Sequence, residues 1–311
     1  NQSEHDDYHT EIDVKTLRLL VTGLFVAASA SAEQYDWEVG ADISRTTTEQ
    51  TIGLFGPGGS PGNVRIENDA DAIGIGATWF FEGLEISEGP RTEAPFLSRT
   101  SSLSFAYSRV DFDSTTTSPV DVTTSSSGDS DGLGFRGRYV WKDSGWFALG
   151  SYSRSEAFSD ATVTTLTAGV GRYVARNTTI SATLGRTEVD TNVFDDTSSG
   201  VILAAKHIGQ FRNQWRYGFD IDVSNQEFGD ASGQYGLGFS LFPNDDLVLA
   251  FNSTGQIGGS NNEQQGYRLS GGWFVLPDLE ITAGYDWVDV DSDETVDIDT
   301  NGFNIGVNYR F

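Results

Sequence analysis

Apolar residues recur at every second position along most of this chain. The run over 213–225 is the clearest, with Trp215, Tyr217, Phe219, Ile221 and Val223 separated by small or polar residues. A period of two marks a strand with one apolar and one polar face. The same alternation runs through 35–47 (Tyr35, Trp37, Val39, Ala41, Ile43), 70–82 (Ile73, Ile75, Ala77, Trp79, Phe81), 101–112 (Leu103, Phe105, Tyr107) and 131–142 (Leu133, Phe135, Tyr139, Trp141). It continues through 163–174, 178–189, 199–208, 232–242, 247–257, 265–276, 279–290 and 300–311. The stretch 146–156 is strand-like but admits both phases. About 14 antiparallel strands are predicted, within a range of about 12–16.

Tight turns are expected after the fourth, sixth, eighth, tenth and twelfth strands, at sequences such as Lys142-Asp143-Ser144-Gly145 and Pro277-Asp278. Most connections after odd strands read as longer and rich in Gly, Ser, Thr or Asp. The loops 48–69 and 113–130 stand out among them as candidates to constrict a pore. Trp37, Trp79, Trp141, Trp146, Trp215 and Trp273 fall beside the tight turns or a terminus, and Trp287 falls near the other end. An indole at a lipid interface buries its ring and keeps its N–H wet, so this clustering predicts an aromatic girdle. The segment 83–100 is too long for a tight turn. One reading of its core, GPRTEAPFLSR (89–99), is a proline-limited turn whose Phe96 and Leu97 cover the mouth of the structure.

Composition narrows the class. Mean hydropathy is -0.31, and no internal run of about 18 apolar residues exists, so membrane helices are excluded. Alternating strands can still cross a bilayer, provided that they close into a barrel and leave no edge unpaired. The absence of Cys excludes disulfides and thiolate metal sites. A net charge of -26 argues against nucleic acid as a partner.

Residues 14–32 carry Lys15 and Arg18, an apolar run Leu19–Ala28, and Ala30-Ser31-Ala32 as a small-x-small cleavage site. This is the layout of a signal peptide. Residues 1–13 are expected to lie outside the mature protein, which is then 33–311. At the other end, Phe303, Ile305, Val307, Tyr309 and Phe311 alternate with Asn304, Gly306, Asn308 and Arg310.

Asn304, Gly306, Tyr309 and Phe311 match a C-terminal pattern of polar, x, Gly, x, x, aromatic, x, aromatic. In this the chain resembles the outer-membrane β-barrel proteins of Gram-negative bacteria, whose barrel-assembly machinery reads that signal. The segment 89–99 also resembles a stretch in sequences described as porins. The resemblance implies an all-β, transmembrane, antiparallel up-and-down barrel in the outer membrane, in contact with lipid and lipopolysaccharide. It implies a porin that lets small hydrophilic solutes or ions diffuse passively, and it is compatible with a homo-oligomer. The alternative is a closed structural or adhesive barrel acting through acidic surface loops.

Parity opposite to the apolar face assigns lumen residues. These are Asp36, Glu38, Asp42, Asp220, Asp222, Glu280 and Asp286 among acids, and Arg136, Arg138, Lys142, Lys206, Arg216 and Arg268 among bases. They constitute either a transverse field across the lumen or scattered charges, some paired. No catalytic, cofactor or metal residues are expected. His207, the one histidine of the mature chain, has lipid-facing parity, and the acidic run 289–299 lacks the glycine and the terminal glutamate of a calcium loop.

Overall fold

The computed structural model describes residues 34–55, 61–86, 89–118, 122–157, 161–191, 195–211, 215–225, 233–256, 262–292 and 296–311. The expected extension 1–13 and signal peptide 14–32 lie outside the described residues. Fourteen strands follow one another: β1 (Gln34–Phe55), β2 (Pro61–Glu85), β3 (Ser102–Thr117), β4 (Thr123–Trp141), β5 (Trp146–Ala157), β6 (Ala161–Ala175), β7 (Thr178–Asp190), β8 (Asp195–Gln210), β9 (Arg216–Ser224), β10 (Gln234–Asn244), β11 (Leu247–Gln256), β12 (Asn262–Leu276), β13 (Leu279–Ser292) and β14 (Val296–Arg310). Each pairs with its sequence neighbours, and β1 pairs antiparallel with β14 to close the ring. At that seam the chain end is pinned, because the amides of Asp36 and Trp37 donate to the Phe311 carbonyl and the Phe311 amide donates to Trp37.

The described residues of the predicted loops 48–69 and 113–130 are mostly strand. Thr48 pairs with Asn68 and Ile52 with Val64, so β1 and β2 continue as a tall hairpin. Likewise Asp113 pairs with Ser127 and Thr116 with Thr124. The expected length of these upper connections is therefore taken up by strand. Outside a membrane both faces of a strand are wet, so alternation fades while β-branched threonine still favours extended backbone.

The outer wall shows where the membrane ends. Ile73, Ile75, Trp79, Phe81, Leu133, Phe135, Leu203, Phe219, Ile221, Leu269 and Tyr285 are all exposed on it. An apolar wall of this kind is stable only against lipid. Going up several strands, the outward residues then change abruptly to charge. Ile43 is followed by Arg45, Tyr107 by Arg109, Tyr152 by Arg154 and Leu184 by Arg186. These arginines pair with neighbouring carboxylates, Arg45 with Asp69 at 3.5 Å, Arg109 with Asp129 at 3.4 Å and Arg154 with Glu156 at 3.0 Å. From Ile73 to Phe81, at about 3.3 Å per residue and a tilt of roughly 40°, the belt rises about 20 Å, close to the height expected for an outer-membrane barrel.

The lower end carries the tight turns at 142–145, 176–177, 245–246 and 277–278, and Trp37 stacks on Trp79 with ring centroids 6.0 Å apart there. Here the inner face is apolar as well. Val140, Phe147, Tyr173, Ile208 and Phe242 point inward and are buried around Phe96. Four register shifts, at Tyr35/Trp37, Tyr173/Ala175, Leu241/Asn244 and Phe274/Leu276, all lie at this end. They bend the strand ends where the wall meets the segment between β2 and β3.

Candidate functional site: a polar lumen and its floor

The segment after β2 folds back into the barrel. Pro90 precedes a 3-10 turn, Arg91–Glu93, and a short helix α1 (Ala94–Leu97) begins with Pro95 in its first turn. Proline suits that place, since its missing N–H has no helical partner there. The helix ends at Arg99, whose φ of 55° reverses the chain, while the Arg99 amide donates to the Phe96 carbonyl and the Thr100 amide to that of Pro95. Gly89 has φ of 131°, and a Cβ there would lie 2.6 Å from Leu97 Cδ1 and 2.9 Å from Arg216 Nη1. Only glycine lets the chain enter the mouth at that point.

Several strands around the barrel hold this floor. Arg91 Nε donates to Asp246 at 2.5 Å, the Arg91 amide donates to the Asp245 carbonyl, and Arg310 Nη1 donates to the Arg91 carbonyl at 2.9 Å. Lys206 Nζ meets Glu93 at 3.0 Å and Asp220 at 3.3 Å. The Tyr173 hydroxyl donates to the Phe96 carbonyl at 2.7 Å. Phe96 itself is 5% exposed, with its ring 5.5 Å from that of Tyr173. The mouth cover read from Phe96 and Leu97 is thus observed, and it is a folded plug held by several strands rather than a simple turn.

Above the floor the lumen is polar. A cavity of about 730 Å3 is lined by Glu38, Asp42, Arg268, Asp286, Asn304 and Asn308. A second, of about 450 Å3, sits directly on Phe96 and is lined by Arg136, Arg138 and Lys206. Acidic groups thus dominate the side formed by β13, β14 and β1, and basic groups the side formed by β4 and β8.

The predicted lumen residues sort into distinct settings. Arg268 pairs with Asp286 at 3.6 Å. Asp220 pairs with Lys206. Asp222 lies across Gly236, where a Cβ would meet its carboxylate. Glu280 is buried and accepts from Asn308 Nδ2 at 3.1 Å. Glu38 accepts from Arg310 Nε at 2.5 Å. Asp36 is exposed at the foot of β1, outside both cavities. Lys142 stands on a turn and pairs with Glu82 at the rim, and Arg216 pairs with Asp245 at the mouth at 3.0 Å. Arg136 and Arg138 form no ion pair with a carboxylate among the described residues. His207 hydrogen-bonds Thr178 at 2.8 Å and lies beside the outward Tyr217 ring.

Arg91, Glu93, Tyr173 and Arg310 belong to the site but were not among the predicted lumen residues. Arg310 has the same parity as Asn304 and Asn308, so the alternation already carried it. Of the C-terminal motif, Gly306 faces inward, where a Cβ would lie 2.7 Å from Thr282 Oγ1, and Asn304 Oδ1 is buried without a partner.

No protein-family model and no curated protein matches the chain. Among solved structures, the outer membrane protein Omp33 of Acinetobacter baumannii superposes with a TM-score of 0.56 at 16% identity, over 89% of this chain and 99% of that one. The chain has the fold of an outer-membrane β-barrel. Pseudomonas aeruginosa OccK7 (OpdD) and Pseudomonas putida OprB are more distant, with TM-scores of 0.44 and 0.41 and identities of 9% and 8%. They cover 89% and 96% of this chain and 99% and 97% of theirs. In outer-membrane barrels the short turns face the periplasm; in that orientation the plug sits in the periplasmic mouth and the charged upper hairpins stand outside.

Proposed function

We propose that the protein is an outer-membrane channel through which small hydrophilic solutes or ions diffuse passively, with residues 89–101 forming its narrowest passage. The observation that carries this reading is the polar lumen. A barrel serving only as a wall has no use for charge at its centre, yet Asp42, Arg268 and Asp286 line a cavity of about 730 Å3. A hydrated interior is where such groups are tolerated. The separation of Glu38, Asp42 and Asp286 from Arg136, Arg138 and Lys206 supports a transverse field, which would orient charged solutes as they pass. Asn304, Gly306, Tyr309 and Phe311 act in this reading as the assembly signal, and the outer hairpins contact lipopolysaccharide.

The floor favours a second reading, a closed barrel that works through its acidic outer hairpins. Planar-bilayer conductance separates the two. The folded protein is compared with a variant in which 88–99 are replaced by a short Gly-Ser link. A channel gives unitary steps in the intact protein that grow in the variant. Silence in the intact protein together with steps in the variant favours the closed barrel.

A further inference from the structure

Arg136 and Arg138 are two residues apart on β4 and point into the cavity above Phe96. Five other described cations that face the lumen or its mouth each meet a carboxylate. Lys206 has Glu93 and Asp220, Arg268 has Asp286, Arg310 has Glu38, Arg91 has Asp246 and Arg216 has Asp245. Glu38 also reaches this cavity, but Arg310 already occupies it. In a chain of net charge -26, leaving two guanidinium groups uncompensated in one pocket is against the general balance.

The environment of Arg138 makes the imbalance sharper. Its guanidinium lies 4.6 Å from the Phe147 ring centre and 5.5 Å from that of Tyr173, and one Nη donates to the Tyr173 hydroxyl. Its Nε is buried and has no hydrogen-bond partner. A partly desolvated cation with a free donor is costly unless an anion completes it. The remaining walls carry hydroxyls, with Ser104 held to Thr78 at 2.9 Å and Thr179 and Ser181 opposite.

We propose that this pocket binds a small oxyanion, a carboxylate or a phosphate, through Arg136 and Arg138. Two guanidinium forks on one strand face, about 7 Å apart along the chain, suit an anion with several oxygens, because each fork can donate two parallel hydrogen bonds. The proposal rests on the channel reading for the solute's route and names its chemical class. Because Arg138 also holds the Tyr173 hydroxyl that holds the Phe96 carbonyl, the bound anion sits on the floor itself.

The test is calorimetric titration of the folded barrel in detergent with sodium malonate and, separately, with inorganic phosphate. Saturable binding of either is expected, and the tighter one identifies the chemistry. Arg136→Gln, which removes no described hydrogen bond or ion pair, should weaken it about tenfold or more, as for a lost hydrogen bond to a charged group. Arg172→Gln, on the lipid-facing wall, should leave it unchanged. Absence of saturable binding with both probes, or an Arg136→Gln protein that binds like the wild type, overturns the site. A barrel that binds but never conducts keeps the site and removes the channel reading. One that conducts and does not bind does the reverse.

Discussion

The Tyr173 hydroxyl donates to the carbonyl of Phe96 at 2.7 Å while accepting a hydrogen bond from Arg138 at 2.7 Å. One oxygen thus ties β6 and β4 to the plug. Tyr173→Phe would leave a buried carbonyl and a guanidinium without their partner, a loss of about 1–3 kcal/mol. The strand ladder does not depend on that oxygen. The barrel should therefore stay folded while the floor loosens, and liposome swelling with small sugars should speed up. Equal rates for the two proteins would mean that the floor does not limit passage.

Phe96 supplies the apolar part of the same attachment. Truncation of a buried phenylalanine costs about 3–5 kcal/mol, much of what a plug of this size can gain from docking. In Phe96→Ala the segment should undock, exposing Arg91 and Arg99 to trypsin. Cleavage between β2 and β3, with the two halves still associated as a heat-modifiable barrel on gels, is the expected result. A segment that stays resistant would place its anchorage in the Arg91 and Glu93 ion pairs instead.

Much of this was legible in the sequence, and the failures share a cause. The fourteen strands and their outward faces follow from alternation because lipid imposes it on one side. Above the membrane nothing imposes it, which is why Thr48-Glu49-Gln50-Thr51 and Ser114-Thr115-Thr116-Thr117 read as loop and fold as strand. The inner face near the periplasm misleads in the opposite way. Parity assigned it to water, but Val140, Phe242 and Phe274 pack inside. A signal was present in the apolar doublets Phe80-Phe81, Trp146-Phe147, Leu241-Phe242 and Trp273-Phe274. In each, one residue faces lipid and its neighbour faces inward at the floor's level. The doublet Trp146-Phe147 is also why the fifth strand admitted both phases. Ion pairs such as Lys206 with Glu93 were beyond reach, since they join residues 113 positions apart.

Arg310 is 4% exposed and pairs with Glu38 across the seam between β14 and β1. Breaking a buried pair leaves a lone charge and typically costs about 3–5 kcal/mol. Glu38→Gln should therefore lower the urea midpoint of unfolding in lipid vesicles, and Arg310→Met should do the same. The double variant should recover part of the loss, because neither charge is then stranded. Additive losses would show that the two side chains act independently.

Charge separation in the lumen has its own readout. Asp42 and Asp286 line the larger cavity, and among the described residues Asp42 has no cationic partner. Asp42→Asn should reduce preference for cations, moving the reversal potential across a KCl gradient toward anion selectivity. Asp286→Asn frees Arg268 as well and should move it further in the same direction. A potential unchanged in both variants would remove the acidic face from control of passage.

The boundary of the apolar belt can be read by placing charge on either side of it. Leu269 is 55% exposed on the outer wall, flanked by Phe251 and Tyr285 on the neighbouring strands. It lies two outward positions above Trp273, in the middle of the belt. Arginine there must take its charge into hydrocarbon, at about 2–4 kcal/mol for a position near the midplane. Asp113 also points outward, but it lies above the step from Tyr107 to Arg109, where the wall has already turned to charge. Asp113→Arg should change stability by no more than about 0.5 kcal/mol, as for an ordinary surface site. Leu269→Arg should be destabilised in vesicles by several times that amount and much less in detergent micelles, which deform around the charge. Equal costs at the two positions, or no difference between vesicle and micelle, would mean that the apolar wall is covered by something other than a bilayer.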